Sequence, residues 1–216
     1  MRVAVTSDFH LNPGDIFPKP EFDRTPDLVI LNGDMRNFLP LGIKAWDTPE
    51  GHLTLQSLHS ALDSWEVIDV FGNHEGCYEW LKWADADTHF QPVKKFVIPA
   101  TRDHLAYKFV HGHQLTPDWG IIAPIAYNFI EFAVKFFPNQ WYKFCKRMRW
   151  LPSNYATNPH FNLYTKYWGI WGDRAGIENC NYVIGHSHLP GGIITLYPKV
   201  PDVIDLGAKQ WTIIRI

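Results

Sequence analysis

Val3-Ala4-Val5-Thr6-Ser7-Asp8-Phe9-His10 and Leu28-Val29-Ile30-Leu31-Asn32-Gly33-Asp34 share one pattern, from which the architecture can be inferred. Each begins with β-prone residues and runs straight into a polar turn that carries an aspartate. The pattern recurs along the chain. Val67-Ile68-Asp69-Val70-Phe71 leads to Gly72-Asn73-His74-Glu75, Ala106–Val110 leads to His111-Gly112-His113, and Tyr182-Val183-Ile184 leads to Gly185-His186-Ser187-His188. Runs rich in β-branched residues and bounded by Gly, Asn or Asp predict strands, and near-continuous apolar runs predict strands covered on both faces. The polar cluster always follows the strand. In layered α/β folds that is the side where loops converge on ligands.

The rest of the chain fits the same frame. Glu50–Leu62 and Glu75–Ala84 are expected as helices outside the sheets, with further strands at Ile193–Tyr197, Val203–Leu206 and Gln210–Ile216. The expectation is an α/β protein of the α+β four-layer kind, two packed sheets with helices outside and the ligand site at the loop end.

Composition agrees with one domain over residues 1–216. The chain has 216 residues, 46% of them hydrophobic, which is ample for a real core. Its 20 basic and 22 acidic residues give a net charge of −2, which disfavours a general nucleic-acid coat. Cys77, Cys145 and Cys180 are odd in number, widely spaced and contain no CxxC, so neither a disulfide scaffold nor a zinc ribbon is expected. Met1-Arg2 runs directly into the first strand, and the apolar stretch from Ile121 to Phe137 is interrupted by Pro124, Asn128, Glu131 and Lys135. A cytoplasmic protein is therefore expected.

The loops supply Asp8 and Asp34 as carboxylates, Asn73 as a carboxamide, and His10, His74, His111, His186 and His188 as imidazoles. No thiolate is among them. A mixed oxygen and imidazole set suits Mn, Fe, Zn or Ni, and it is too large for one ion. Two divalent ions roughly 3.5–4 Å apart need a bridging carboxylate, for which Asp34 after a Gly turn is well placed. Two such ions with Asp8, Asp34 and a bridging hydroxide leave about +1 to attract a phosphoryl group. His74, beside Asn73, can face the substrate while its neighbour holds metal.

Taken in order, Asp8-x-His10, Gly33-Asp34, Gly72-Asn73-His74-Glu75, His111-Gly112-His113 and Gly185-His186-Ser187-His188 resemble the motifs of the calcineurin-like metallophosphoesterases. That resemblance implies a β-sandwich flanked by helices with the metals at one end. It places Asp8, His10, Asp34 and His188 on a first metal, and Asp34 (bridging), Asn73, His111 and His186 on a second. His74 becomes the catalytic or substrate-orienting histidine. His113, close behind His111, is a candidate substrate-binding residue. The implied cofactors are two divalent ions, Mn first, with Fe, Zn or Ni as alternatives, and the implied reaction is attack of a bridging hydroxide on a phosphomonoester or phosphodiester. His52, His59, His89, His104 and His160 lie outside any motif and are expected to be ordinary surface or core residues. Asp27 is expected to cap or solvate, and Asp205 to order a turn.

Residues 115–178 depart from the strand rhythm and predict a helical cap inserted before the last paired-His motif. Within 119–171 fall 16 of the 33 aromatic residues and a net charge of +5, leaving −7 for the remainder. A helix ending by Pro138, a second over Gln140–Arg149 and a third opened by Asn158-Pro159 are expected. This cap could form a satellite core, cover a hydrophobic or aromatic leaving group, or attach to an anionic membrane surface or protein partner. The bacterial UDP-diacylglucosamine hydrolases of the same superfamily also carry a basic, apolar insertion, which raises a lipid-linked or nucleotide pyrophosphate substrate as an alternative. This chain departs from them in having His74 where they typically carry Arg, and His113 where they typically carry Asp. A non-catalytic metal- or phosphate-binding scaffold is the remaining alternative. There is no strong signal for duplex nucleic acid, and single strands would suit the interleaved aromatics better.

Overall fold

The computed structural model describes residues 1–72, 74–111, 129, 132, 133, 136, 137, 140, 180–185, 192–194, 203–206 and 208–216. Two five-stranded sheets face one another. The first is built from β1 (Arg2–Thr6), β2 (Leu28–Asn32), β3 (Val67–Val70), β4 (Gln91–Val93) and β10 (Thr212–Arg215) in the order β10-β1-β2-β3-β4. Neighbours from β1 to β4 run parallel, and β10 closes the far edge antiparallel to β1. The second sheet contains β5 (Phe96–Ile98), β6 (Ala106–Val110), β7 (Cys180–Ile184), β8 (Gly192–Ile194) and β9 (Val203–Asp205), ordered β5-β6-β7-β9-β8. Its central strands β6, β7 and β9 are parallel, and its two edges are antiparallel.

Strand alternation produces two cores. Val3, Val5, Leu28, Ile30, Ile68 and Val70 face the second sheet and meet Ile98, Phe109, Val183 and Leu206. The opposite face of the first sheet presents Ala4, Val29, Leu31 and Val67 to Trp46, Leu55, Leu58, Leu62 and Trp80 of the helical layer. The β1, β2 and β3 runs are therefore covered on both sides, as their unbroken apolar character requires.

The helical layer includes the short turns α1 (Phe38–Leu41) and α2 (Ile43–Trp46), then α3 (Pro49–Ala61) and α4 (Tyr78–Ala84). At the start of α3, the Thr48 side chain accepts a hydrogen bond from Gly51 N–H at 3.2 Å, and Pro49 occupies the first turn where its missing N–H costs nothing. The helix expected at Glu75–Ala84 begins three residues later. Gly76 has φ +78° and Cys77 is extended, while the Glu75 side chain is drawn inward instead of lining a helix. Two edge strands, β4 and β5, were not expected. Gln91-Pro92-Val93 is short, polar and contains proline, a sequence that tolerates only an edge position.

Asp27 accepts a hydrogen bond from Arg2 N–H at 2.7 Å, a backbone cap of the kind expected. Asp205 ends β9 opposite Ile184 and Gly192 instead of standing in a turn. The four-layer expectation is met in its two sheets and in the helices on the first. The cap at 115–178 lies outside the described residues except at Phe129, Phe132, Ala133, Phe136, Phe137 and Gln140. Among the described residues, no helix is long and apolar enough to cross a membrane.

Candidate metal centre

The loops after β1 and β2 travel together beyond their strands. Asp8 N–H donates to Gly33 O at 3.1 Å, His10 N–H to Asp34 O at 2.9 Å, and Leu11 N–H to Met35 O at 2.9 Å. Asp8, His10 and Asp34 all adopt left-handed backbone conformations, with φ of 58°, 51° and 53°. Such values are uncommon for residues with a Cβ, although Asp and His tolerate them better than most, and they concentrate at functional sites. Glycines make room around these turns. A Cβ on Gly33, itself at φ +86°, would lie 2.6 Å from His111 Nδ1, and one on Gly185 would lie 2.7 Å from Ser7 Oγ and 2.9 Å from Asp8 Oδ2.

The side chains converge on Asp34. His111 Nε2 lies 3.0 Å from Asp34 Oδ2, and His74 Nε2 lies 4.0 Å from the same oxygen. Asp8 Oδ1 is 4.0 Å from both His10 Nε2 and His111 Nε2. Two groups of three donors follow, His10–Asp34–His74 and Asp8–Asp34–His111, each with its donor atoms within 4.8 Å of one another. Asp34 belongs to both.

Backbone and carboxamide partners set the imidazole orientations. His111 Nδ1–H donates to Asn32 O at 3.0 Å, which directs Nε2 at the two aspartates. Asn32 is itself fixed between the sheets, donating from Nδ2 to Val110 O at 3.0 Å and Val183 O at 3.2 Å. Asn37 performs the same task for the other pair. Its Oδ1 accepts from Nδ1–H of His10 at 3.1 Å and of His74 at 2.9 Å. Its Nδ2 donates to His10 O at 3.0 Å, a contact only the amide nitrogen can make, so the carboxamide has one orientation. The two rings meet edge to face with centroids 4.4 Å apart.

Buried charge explains the electrostatics. Burial alone would push the Asp34 carboxyl up, but the imidazoles of His111, His74 and His10 outweigh it and hold the group well below the usual carboxylate range. Burial opposes a charged His111, yet Asp34 and Asp8 pull the ring the other way and raise it to about 10. Asp8 and Asp34 are both shut off from solvent, so the site demands positive charge beside them.

Beneath this layer lies a second buried network. The Arg36 guanidinium donates to Asp69 Oδ2 and Asp85 Oδ1, both at 2.7 Å, and His59 Nε2 lies 3.2 Å from Asp85 Oδ1. Burial raises Asp69 to about 7 against the pull of Arg36. Burial and then the Arg36 charge depress His59 to about 3, so its ring is neutral. Glu75 is fully buried beside them and its carboxyl is pushed up to about 8 by burial, then by Asp34 and Asp69.

Of the residues expected at the site, Asp8, His10, Asp34, His74 and His111 come together. Asn73, His113, His186 and His188 lie outside the described residues. Sequence reading missed Asn37, Asn32 and Ser7, whose hydroxyl donates to Asp8 Oδ2 at 2.5 Å. It also gave no role to Glu75 or Arg36. The signal that could have found part of this is Asp69, a carboxylate placed in the middle of a buried apolar strand. The donor set fits divalent metal. It combines buried carboxylates with imidazoles whose Nδ1 atoms are already engaged, and two donor groups share one carboxylate.

No protein-family model matches this chain. No curated protein matches it either. Among solved structures, it is similar to the crystal structure of a conserved uncharacterized protein, a predicted phosphoesterase, from Streptococcus pneumoniae TIGR4. The two are 15% identical, the match covers 96% of this chain and 72% of that one, and the TM-score is 0.35.

Proposed function

We propose that this protein is a phosphoesterase dependent on two divalent metal ions, acting on a phosphomonoester or phosphodiester. The observation that carries this reading is the membership of Asp34 in both three-donor groups, one with Asp8 and His111 and the other with His10 and His74, which suits a carboxylate shared between two ions. The motif resemblance, whose division differs from these two groups, supports Asp8, His10, Asp34 and His188 for one ion and Asp34, Asn73, His111 and His186 for the other, with His74 left to face the substrate. Mn is the first choice, with Fe, Zn or Ni as alternatives, because oxygen and imidazole donors accept all four. When bound, the ions would polarise the phosphoryl group and lower the pKa of water at the site.

The protein's own groups do the rest. Asn37 holds His74 with Nδ1–H engaged and Nε2 on the side of Asp34, where that nitrogen can give a proton to the departing alkoxide or orient a phosphoryl oxygen. His74 N–H donates to Asp34 Oδ1 at 2.7 Å, so the proposed proton donor and the shared ligand are tied together. Asn32 keeps His111 aimed at the aspartates.

The proposal extends to one domain over residues 1–216 with a cap at 115–178, in the cytoplasm. His113 is proposed to contact substrate. Phe129, Phe132, Phe136 and Phe137 are each half exposed or more, which supports a cap that meets an apolar leaving group or an external surface.

The test is hydrolysis of p-nitrophenyl phosphate and bis(p-nitrophenyl) phosphate by metal-stripped protein re-supplied with Mn, Zn, Ni, Mg or Fe(II). Activity that returns with metal and disappears in Asp34→Ala supports the assignment. Full activity in metal-loaded Asp34→Ala overturns it.

A further inference from the structure

Glu75 ends the Gly72-Asn73-His74-Glu75 turn, and neither metal binding nor proton transfer gives it a task. Its carboxyl group nevertheless gathers three peptide N–H groups from two different loops. Oε2 accepts from Asp34 N–H and Gly72 N–H, both at 2.9 Å, and Oε1 accepts from Arg36 N–H at 3.1 Å. Buried backbone donors need acceptors, and one buried carboxyl group here serves donors from the loop after β2 and the loop after β3 together.

The consequence falls on Asp34, whose backbone is left-handed. Its N–H is held by Glu75, its carbonyl by His10 N–H at 2.9 Å and its Oδ1 by His74 N–H at 2.7 Å, while Oδ2 faces His111 at 3.0 Å. Of these four tethers, the Glu75 one alone comes from a residue outside the two donor groups. Gly72 completes the arrangement. A Cβ there would fall on Asp34 N and Oδ1 and lie 2.7 Å from Glu75 Oε2, so no side chain fits between the two acids. The hydrogen bonds also separate this role from a salt bridge, because the Arg36 guanidinium bonds Asp69 and Asp85 while Glu75 takes the Arg36 peptide.

We infer that Glu75 is a positioning residue for the shared metal ligand. By clamping the Asp34, Arg36 and Gly72 peptides it holds Asp34 in the strained turn from which its carboxylate can reach both donor groups. This role rests on the reading of Asp34 as a metal ligand.

Glu75→Gln tests it, since a carboxamide has one acceptor oxygen for three donors and its NH2 must oppose one of them. Amide hydrogen exchange by NMR on the full metal-free chain, with Mn2+ affinity by calorimetry on the same samples, gives two readouts. We expect the Arg36 amide to exchange roughly tenfold faster or more, with the amides of α3 unchanged. Mn2+ should bind about 10–100-fold more weakly. Wild-type exchange together with wild-type affinity overturns the inference, as does faster exchange with unchanged affinity. Failure of the wild-type chain itself to bind Mn2+ overturns the reading of Asp34 and this role with it. Should the Gln variant not fold, Gly72→Ala approaches the same clamp from the other side. Its Mn2+ affinity should fall in the same range, and normal affinity in it overturns the inference.

Discussion

His111 Nε2 stands 3.0 Å from Asp34 Oδ2, and neither side chain is open to solvent. Without metal, this pair makes the fold proton-dependent. The ordinary His value of 6.5 is raised to about 10 in the folded chain, so the folded state binds that proton more tightly than the unfolded one. The stabilisation is complete below pH 6.5, shrinks as the pH rises, and is gone above about 10. Thermal melts in chelator should therefore fall between pH 6.5 and 10, and His111→Asn should flatten that decline. Mn2+ binding near pH 7 should release about one proton from this site, visible as a buffer-dependent binding enthalpy.

The Asn37 carboxamide fixes two imidazoles with one oxygen. Asn37→Leu removes that acceptor and leaves two Nδ1–H groups to find another. Turnover or metal affinity is expected to fall about 10–100-fold. Asn37→Asp keeps the acceptor and should recover much of the loss. Equal defects in both variants would show that the hydrogen bonds are not what matters.

Arg36 neutralises two buried carboxylates at once. Arg36→Leu leaves Asp69 and Asp85 without their countercharge, and a loss of about 3–5 kcal/mol in urea unfolding is expected. Adding Asp69→Asn and Asp85→Asn should restore part of it, since neutral partners no longer demand a cation.

His59, beside the same network, gives the opposite pH dependence to His111. Its value is depressed from 6.5 to about 3, so its stabilisation is present above pH 6.5 and is lost as the pH falls through about 3. Chelated wild-type protein should thus lose stability on both sides of pH 6.5. His59→Leu should weaken only the acid limb.

Gly33 is irreplaceable for two reasons: its positive φ and the His111 ring against its α-carbon. Gly33→Ala should cost about 1–3 kcal/mol through overpacking. The displaced ring should also weaken metal binding, which equilibrium dialysis can follow separately.

Strand identity was legible because β1, β2, β3, β6 and β7 each combine an apolar run with an abrupt polar turn. Asp8, His10, Asp34, His74 and His111 were legible for the same reason. Asn37 was not, because nothing local distinguishes it from any polar residue before a helix. Its role exists only once the loops after β1 and β2 hydrogen-bond to one another and bring His10 beside it. Glu75 was misread in its backbone, as the start of a helix, because acidic residues favour first turns and the buried peptides that claim its carboxylate come from 39 and 41 residues away. β4 escaped notice because proline and polar residues suppress the strand signal, and only the finished edge of the sheet makes room for them.

The placement of β10 has a consequence for how the molecule comes into being. Thr6 Oγ1, one residue from Ser7 and Asp8, donates to Gln210 O at 2.7 Å across 204 residues of sequence, and β1 gains its outer neighbour only when β10 arrives. Contacts so distant along the chain make folding slow, on the order of milliseconds to seconds. Chains emerging from the ribosome carry most of the proposed ligands long before β1 acquires its second partner. Capture of metal should therefore lag behind collapse, which makes the rate of metal uptake during refolding a clock for completion of the first sheet.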